Sequence, residues 1–171
     1  MLIGFFLVET NLIENLRNIK VIAWTTLIFG IILYFSDKRD LGKNIESNFS
    51  FKSAIFIGTF QILSLIPGVS RSGITLSAAR ILNFNRFDSA KISFLLSLPT
   101  LGAVSLFGLN NTLSSNNINF SLINILCIFL SFLFSILTIK YFLHFVKKFS
   151  LNVFVIYRVL LGIILLFLSY S

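Results

Sequence analysis

Apolar residues come in long runs along this chain, and polar residues collect between them. A crossing helix needs about 20 apolar residues, with a range of about 17–25. Residues 19–35 form a first run of that kind. A polar stretch, 36–50, follows with Asp37, Lys38, Arg39, Asp40 and Lys43. The next run, 51–66, stops at Pro67-Gly68. A shorter run, 73–82, cannot cross alone. Residues 92–109 can span, and 110–119 is an uncharged Asn/Ser loop. A further span runs from 120 to about 139 and on toward Lys148, and 151–170 is the last.

Segments 51–66 and 73–82 are each half the usual length and are broken by Pro-Gly. They read either as a re-entrant hairpin, entering and leaving on one side, or as one kinked crossing helix. Broken backbone at membrane depth is tolerated only where protein or a wet cavity surrounds it. The basic residues agree with the hairpin. It puts the loops 36–52, 83–91 and 140–148 on one side, with Lys38, Arg39, Lys43, Lys52, Arg86, Lys91, Lys140, Lys147 and Lys148. The other side receives the 110–119 loop and segment 9–18, where Glu9 and Glu14 outnumber Arg17. Lys and Arg concentrate on the cytoplasmic side of membrane proteins, which orients the chain.

Composition sharpens this picture. The 171 residues are 56% hydrophobic and 12% charged, with a mean hydropathy of +0.94. A soluble domain carries about 25% charged residues. An all-α integral membrane protein is expected, a single membrane domain over 1–171 with no soluble linker. The net charge of +8 belongs to the membrane-flanking pattern, so no nucleic-acid partner is expected. Cys127 is the only cysteine and sits in an apolar run, as a small filler. Residues 2–8 are too short to span and have no basic flank, which argues against a signal peptide. They read as the tail of a helix that begins upstream.

The candidate chemistry lies at Pro67-Gly68-Val69-Ser70-Arg71-Ser72-Gly73. Charge at membrane depth is costly, at least ~2.5 kcal/mol for an Arg, so it usually faces a cavity or ligand. A helix starting near Gly73 presents unpaired N–H groups and a positive dipole end to an anion. Arg71 adds a planar fork suited to phosphate oxygens. Ser70, Ser72 and Thr75 add hydroxyls, and Gly68 and Gly73 allow close backbone approach. Gln61 is the nearest polar side chain upstream. Together they predict an oxyanion site inside the membrane. The plainer reading is an Arg that snorkels or binds carbonyls, with serines satisfying a kink.

The acids are Glu9, Glu14, Asp37, Asp40, Glu46 and Asp88, and none lies within an apolar run. No membrane-depth carboxylate is therefore expected beside Arg71, and no metal ligand in this chain. His144 reads as an interfacial residue beside Lys147 and Lys148. Arg158, beside Tyr157 in the last span, either faces the Arg71 cavity or braces the bundle. Arg86 and Asp88 read as the start of a helix with Asp88 as N-cap.

Residues 57–61 (Ile-Gly-Thr-Phe-Gln) through Pro67-Gly68-Val69-Ser70-Arg71-Ser72-Gly73-Ile74-Thr75 resemble the second signature of the bacitracin-resistance undecaprenyl-diphosphatases. The likeness continues through Ser93-Phe94-Leu95-Leu96-Ser97-Leu98-Pro99, residues 139–143 and Ile156-Tyr157-Arg158. It covers essentially the whole chain, as the C-terminal roughly two-thirds of such a protein. The resemblance implies an inverted repeat with two re-entrant helix pairs. It implies hydrolysis of undecaprenyl diphosphate to the monophosphate, recycling the lipid carrier for peptidoglycan synthesis. It also implies dependence on a divalent cation, Mg or Ca, and a multi-pass location in the bacterial plasma (inner) membrane. Arg71 would grip the diphosphate as the catalytic residue. Gln61, Gly68, Ser70, Ser72, Gly73 and Thr75 would bind substrate with it.

One departure is large. The family's first signature, two glutamates four apart followed by Pro, a run of Ser and a His, has no match here. Gln61 and Leu65 occupy the repeat-related positions. The expected partners are thus a polyprenyl diphosphate lipid, the membrane, and either a missing N-terminal part or a second copy in a homodimer. The alternatives are a non-hydrolytic polyprenyl-phosphate binding or flipping module and an inactive remnant.

Overall fold

The computed structural model describes residues 16–38, 42–114 and 122–170, without the side chains of 111–114 and 122. The apolar stretch 2–8, Glu9, Glu14, Arg39, Asp40 and residues 115–119 of the expected loop lie outside the described residues. In chain order the described elements are helices α1 (Ile19–Asp37), α2 (Ile45–Asn48), α3 (Phe51–Ile62), α4 (Arg71–Ile81), α5 (Arg86–Ser114), α6 (Leu122–Lys148) and α7 (Asn152–Tyr170). A 3₁₀ turn, Leu63–Leu65, extends α3. The described residues are helical without a strand, apart from an isolated bridge between Lys43 and Phe84. Helices α1, α5, α6 and α7 are long and apolar enough to cross a membrane. The protein is an all-α integral membrane protein.

Helices α3 and α4 stand apart, with 12 and 11 residues. At 1.5 Å per residue each reaches about 16–18 Å, roughly half a bilayer core. The chain between them turns sharply. Val69 N–H donates to the Ile66 carbonyl at 3.1 Å, and Gly68 has φ +88. Pro67 and Gly68 thus hold the positions that a type II turn assigns to Pro and Gly. Helix α4 then packs back along α3, with Ile57 among Ala78, Ala79 and Phe84. At its far end Asn83 takes φ 76, Phe84 N–H donates to the Ala79 carbonyl, and the helix stops. Lys43 N–H donates to the Asn83 carbonyl and Asn85 N–H to the Lys43 carbonyl. The segment that leaves at residue 43 therefore returns to the same place at residue 83.

Helix α4 is less apolar than α1, α3, α5, α6 and α7 and is the most buried. Every residue from Ile74 to Arg80 is inside. Small side chains (Gly73, Thr75, Ser77, Ala78, Ala79) let neighbouring backbones approach, as small residues do between membrane helices. Leu76 faces Leu33 of α1, Ala90 of α5, Val146 of α6 and Val155 of α7. Helices α1 and α7 also lie close. A Cβ on Gly162 would meet Leu27 Cβ at 3.0 Å, and one on Gly30 would meet Arg158 Cβ at 3.1 Å. The outer faces, Phe129, Phe132, Phe134 and Phe167 among them, are exposed apolar surface.

Two details differ from the sequence reading. Helix α5 continues through Asn110 and Asn111 to Ser114, where a loop is expected. Extending an existing helix needs no new nucleus, so polar residues of modest propensity continue it. The N-cap of α5 is Asn85 and not Asp88. Asp88 N–H donates to Asn85 Oδ1 at 2.8 Å, and the Asp88 carboxylate accepts from Asn85 Nδ2 and from Ile45 N–H. Asp88 sits in the first turn, where a carboxylate also complements the helix dipole.

Candidate functional site

The N-terminus of α4 is assembled from below by α1. Thr25 Oγ1 lies 2.7 Å from the Pro67 carbonyl oxygen and 2.8 Å from that of Val21, and its one proton serves both. Thr26 Oγ1 reaches the Gly68 carbonyl at 3.4 Å. Gly68 rests on α1 so closely that a Cβ there would collide with Thr25 Oγ1 and with the Ile22 backbone. Its glycine is needed twice, for the positive φ and for the contact. Gly68 therefore shapes the turn and lines neither cavity at this helix end.

Ser70 is the N-cap of α4, accepting from Gly73 N–H at 3.2 Å. Its hydroxyl also lies 3.3 Å from that of Ser72. The first N–H groups of a helix have no intrahelical acceptor, and here they belong to Arg71 and Ser72. Thr75 is buried at 2% exposure and lines neither cavity. Its hydroxyl donates to the Arg71 carbonyl at 2.9 Å and meets Ser93 Oγ at 2.7 Å. Ser93 also reaches the Ser72 carbonyl at 3.4 Å. Thr75 and Ser93 thus tie the first turn of α4 to α5.

The expected cluster divides into two sides around this helix end. On one side Arg71 opens into a groove of ≈ 700 Å³ with Gln61, Ser64 and Thr59 of the α3 arm and Pro99 and Thr100 of α5. On the other side Ser70, Ser72 and Gly73 line a cavity of ≈ 280 Å³ with Ser93, Thr138 and Arg158. Phe94, Phe142, Phe154 and Ile139 make its remaining walls apolar. Arg158 reaches it from α7. A Cβ on Gly73 would stand 3.2 Å from Arg158 Nη2, so the glycine leaves room for the guanidinium against the helix end. Among the described residues no carboxylate pairs with Arg71 or Arg158.

Arg158, open between two readings in the sequence, lines the cavity at Ser70 and Gly73 and not the Arg71 groove, while its stem packs on Gly30 of α1. Sequence reasoning missed Ser93, Thr138 and Thr25. Their only signal is a hydroxyl in an apolar run, which many structural residues share.

A divalent cation does not fit these residues. Among the described residues no three His, Cys, Asp or Glu side chains come together. Neither cavity is lined by a carboxylate or an imidazole.

The other arginine of α4 is differently placed. Arg80, 3% exposed, donates to the Phe84 carbonyl at 2.8 Å and the Asp37 carbonyl at 3.0 Å, and its Nε lies 3.6 Å from Asp37 Oδ1. Asp37 also accepts from Arg86 Nε at 2.7 Å and from Leu151 N–H at 3.0 Å. This carboxylate, read in sequence as part of a polar stretch, is 3% exposed. It joins the end of α1, the end of α4, the start of α5 and the start of α7.

Fold and site define a polytopic helical membrane protein with a hydroxyl- and arginine-lined helix N-terminus. The family described as bacitracin resistance protein BacA matches residues 1–164, and the chain belongs to that family. It is similar to the undecaprenyl-diphosphatase of Pelagibacter ubique, 55% identical over 161 residues, covering 94% of this chain and 62% of the relative. The undecaprenyl-diphosphatase of Campylobacter curvus is 42% identical over 96% of this chain and 62% of its own length. That of a Jannaschia species is 36% identical over all of this chain and 64% of its own length. The chain thus spans less than two thirds of the relatives it matches.

Proposed function

We propose that this chain holds the diphosphate of a polyprenyl diphosphate at the N-terminus of α4, and that it takes part in hydrolysis to the monophosphate. The observation that carries the proposal is a helix end with an arginine on each side. Arg71 stands in one cavity and Arg158 in the other, and Ser70, Ser72 and the first N–H groups lie between them. Charge-assisted hydrogen bonds from a guanidinium suit phosphate oxygens. The apolar walls beside Ser70 suit the first carbons of a polyprenyl tail. In the net reaction water oxygen bonds to the terminal phosphorus. The bond to the bridging oxygen breaks, and that oxygen leaves on the polyprenyl monophosphate. Arg71 neutralises charge that develops on the phosphoryl oxygens.

The relatives' printed names favour hydrolysis over a carrier that only binds or flips lipid. The described residues supply the grip on phosphate and not the base. The carboxylates and any Mg or Ca come, on this reading, with the glutamate-bearing signature that the family resemblance places upstream. The hairpin is re-entrant, belongs to one arm of an inverted repeat, and opens its basic end to the cytoplasm of a bacterial inner membrane.

The test is phosphate release from undecaprenyl diphosphate by this chain alone and co-expressed with that upstream signature. Turnover should appear only in the assembled protein and fall at least about 100-fold with Arg71→Ala. Full turnover in assembled Arg71→Ala would refute the role given to Arg71.

A further inference from the structure

The last turns of α6 carry a groove that the diphosphate reading does not use. It measures ≈ 420 Å³ and is lined by Phe87 of α5 with Lys140, Tyr141, Leu143, His144 and Lys147 of α6. Lys140, His144 and Lys147 recur at helical spacing and share one face. Lys147 Nζ stands 4.1 Å over the Phe87 ring, a cation–π contact that fixes the ammonium at the groove's edge. No carboxylate lines the groove. Among the described residues Asp37 pairs with Arg80 and Arg86, and Asp88 accepts from Asn85 and Ile45.

The same face changes character along the helix. Leu133, Ile136 and Leu137 precede Lys140 on this stripe and are exposed, at 41%, 48% and 47%. An apolar track thus runs into a basic groove at the end of the bundle where α5 and α7 begin. Free phosphate would use the cations but not the track. A membrane lipid with an anionic headgroup uses both.

We infer that the Lys140–His144–Lys147 groove binds the phosphate headgroup of an anionic glycerophospholipid from the surrounding bilayer, with its acyl chains along Leu133, Ile136 and Leu137. Lys140 and Lys147 neutralise the phosphate, and His144 offers a ring N–H in either protonation state. Basic clusters at the cytoplasmic end of membrane helices select anionic lipids in this way. The inference does not depend on the diphosphate site, which lies at the opposite end of α4.

The test is native mass spectrometry of the purified chain released from detergent, with phosphatidylglycerol and phosphatidylcholine supplied in equal amounts. Retained phosphatidylglycerol should exceed phosphatidylcholine. That preference should fall about tenfold or more in Lys140→Gln/Lys147→Gln. It should survive in Lys43→Gln/Lys52→Gln, which makes the same charge change elsewhere, and return in Lys140→Arg/Lys147→Arg. If the double Gln variant melts at lower temperature, the single Lys140→Gln variant takes its place. Equal retention of the two lipids would overturn the inference, as would equal loss in the two Gln pairs. Displacement of the lipid by millimolar inorganic phosphate would also overturn it, by making the groove a site for free phosphate.

Discussion

Helix α4 carries an arginine at each end, and the two have opposite fates. Arg80 is enclosed, with Asp37 and two carbonyls around it. Arg71 opens into a groove lined by amide, hydroxyl and apolar groups. A buried arginine with a carboxylate and carbonyl acceptors is occupied, and removing its partner costs stability. An arginine held half-buried with no counter-charge among the described residues is, under the proposed function, the one that takes an anion arriving from outside. The difference separates what holds the hairpin from what the hairpin presents.

The largest expected effect breaks the enclosed end. Asp37→Ala leaves Arg80 buried without its carboxylate, which costs on the order of 3–5 kcal/mol. The folded protein should be lost from detergent extracts, or melt far earlier by circular dichroism. Arg71→Ala should do the reverse. Hydrolysis by the assembled protein should fall about 100- to 1000-fold while the melting temperature stays put. If Arg71→Ala also lowered the melting temperature, the division between the two ends would fail.

Smaller effects test the turn that joins them. Gly68→Ala forces a positive φ on an L side chain and drives its Cβ toward Thr25 and the Ile22 backbone. A cost of about 1–3 kcal/mol is expected in thermal unfolding. Thr25→Gly should not rescue it, because Ile22 backbone remains in the way. Thr25→Val removes the hydrogen bond to the Pro67 carbonyl and should cost about 1 kcal/mol by the same readout. No change would mean that α1 does not hold the turn.

The contrast between the arginines was only half legible in the sequence. Runs of apolar residues mark the four helices of the described residues that are long and apolar enough to cross, since length and hydropathy are local properties. Pro67-Gly68 marks the break, because a tight turn needs those backbones. Arg71 stands out by lying between serines and glycines. What local pattern does not hold is which distant group meets each charge. Asp37 reads as a solvated acid in a polar stretch, yet tertiary packing buries it against Arg80 and Arg86. Arg158 lies far along the chain from Gly73, and only the packing of α7 on α1 brings its guanidinium to that glycine. Thr75 and Gly68 read as ligand groups because they neighbour Arg71. The helix turns Thr75 inward to Ser93, and the loop sets Gly68 on α1.

The most direct measurement of the central claim needs no turnover. It is the affinity of this chain for a polyprenyl diphosphate in detergent, compared among wild type, Arg71→Ala, Arg158→Ala and Lys52→Gln. Two guanidinium groups flanking one helix end predict that each Ala variant loses about tenfold or more, as charged hydrogen bonds of roughly 1.5–3 kcal/mol require. Lys52→Gln should bind as wild type does. Unchanged affinity in both Ala variants would contradict the account and place the diphosphate away from the N-terminus of α4.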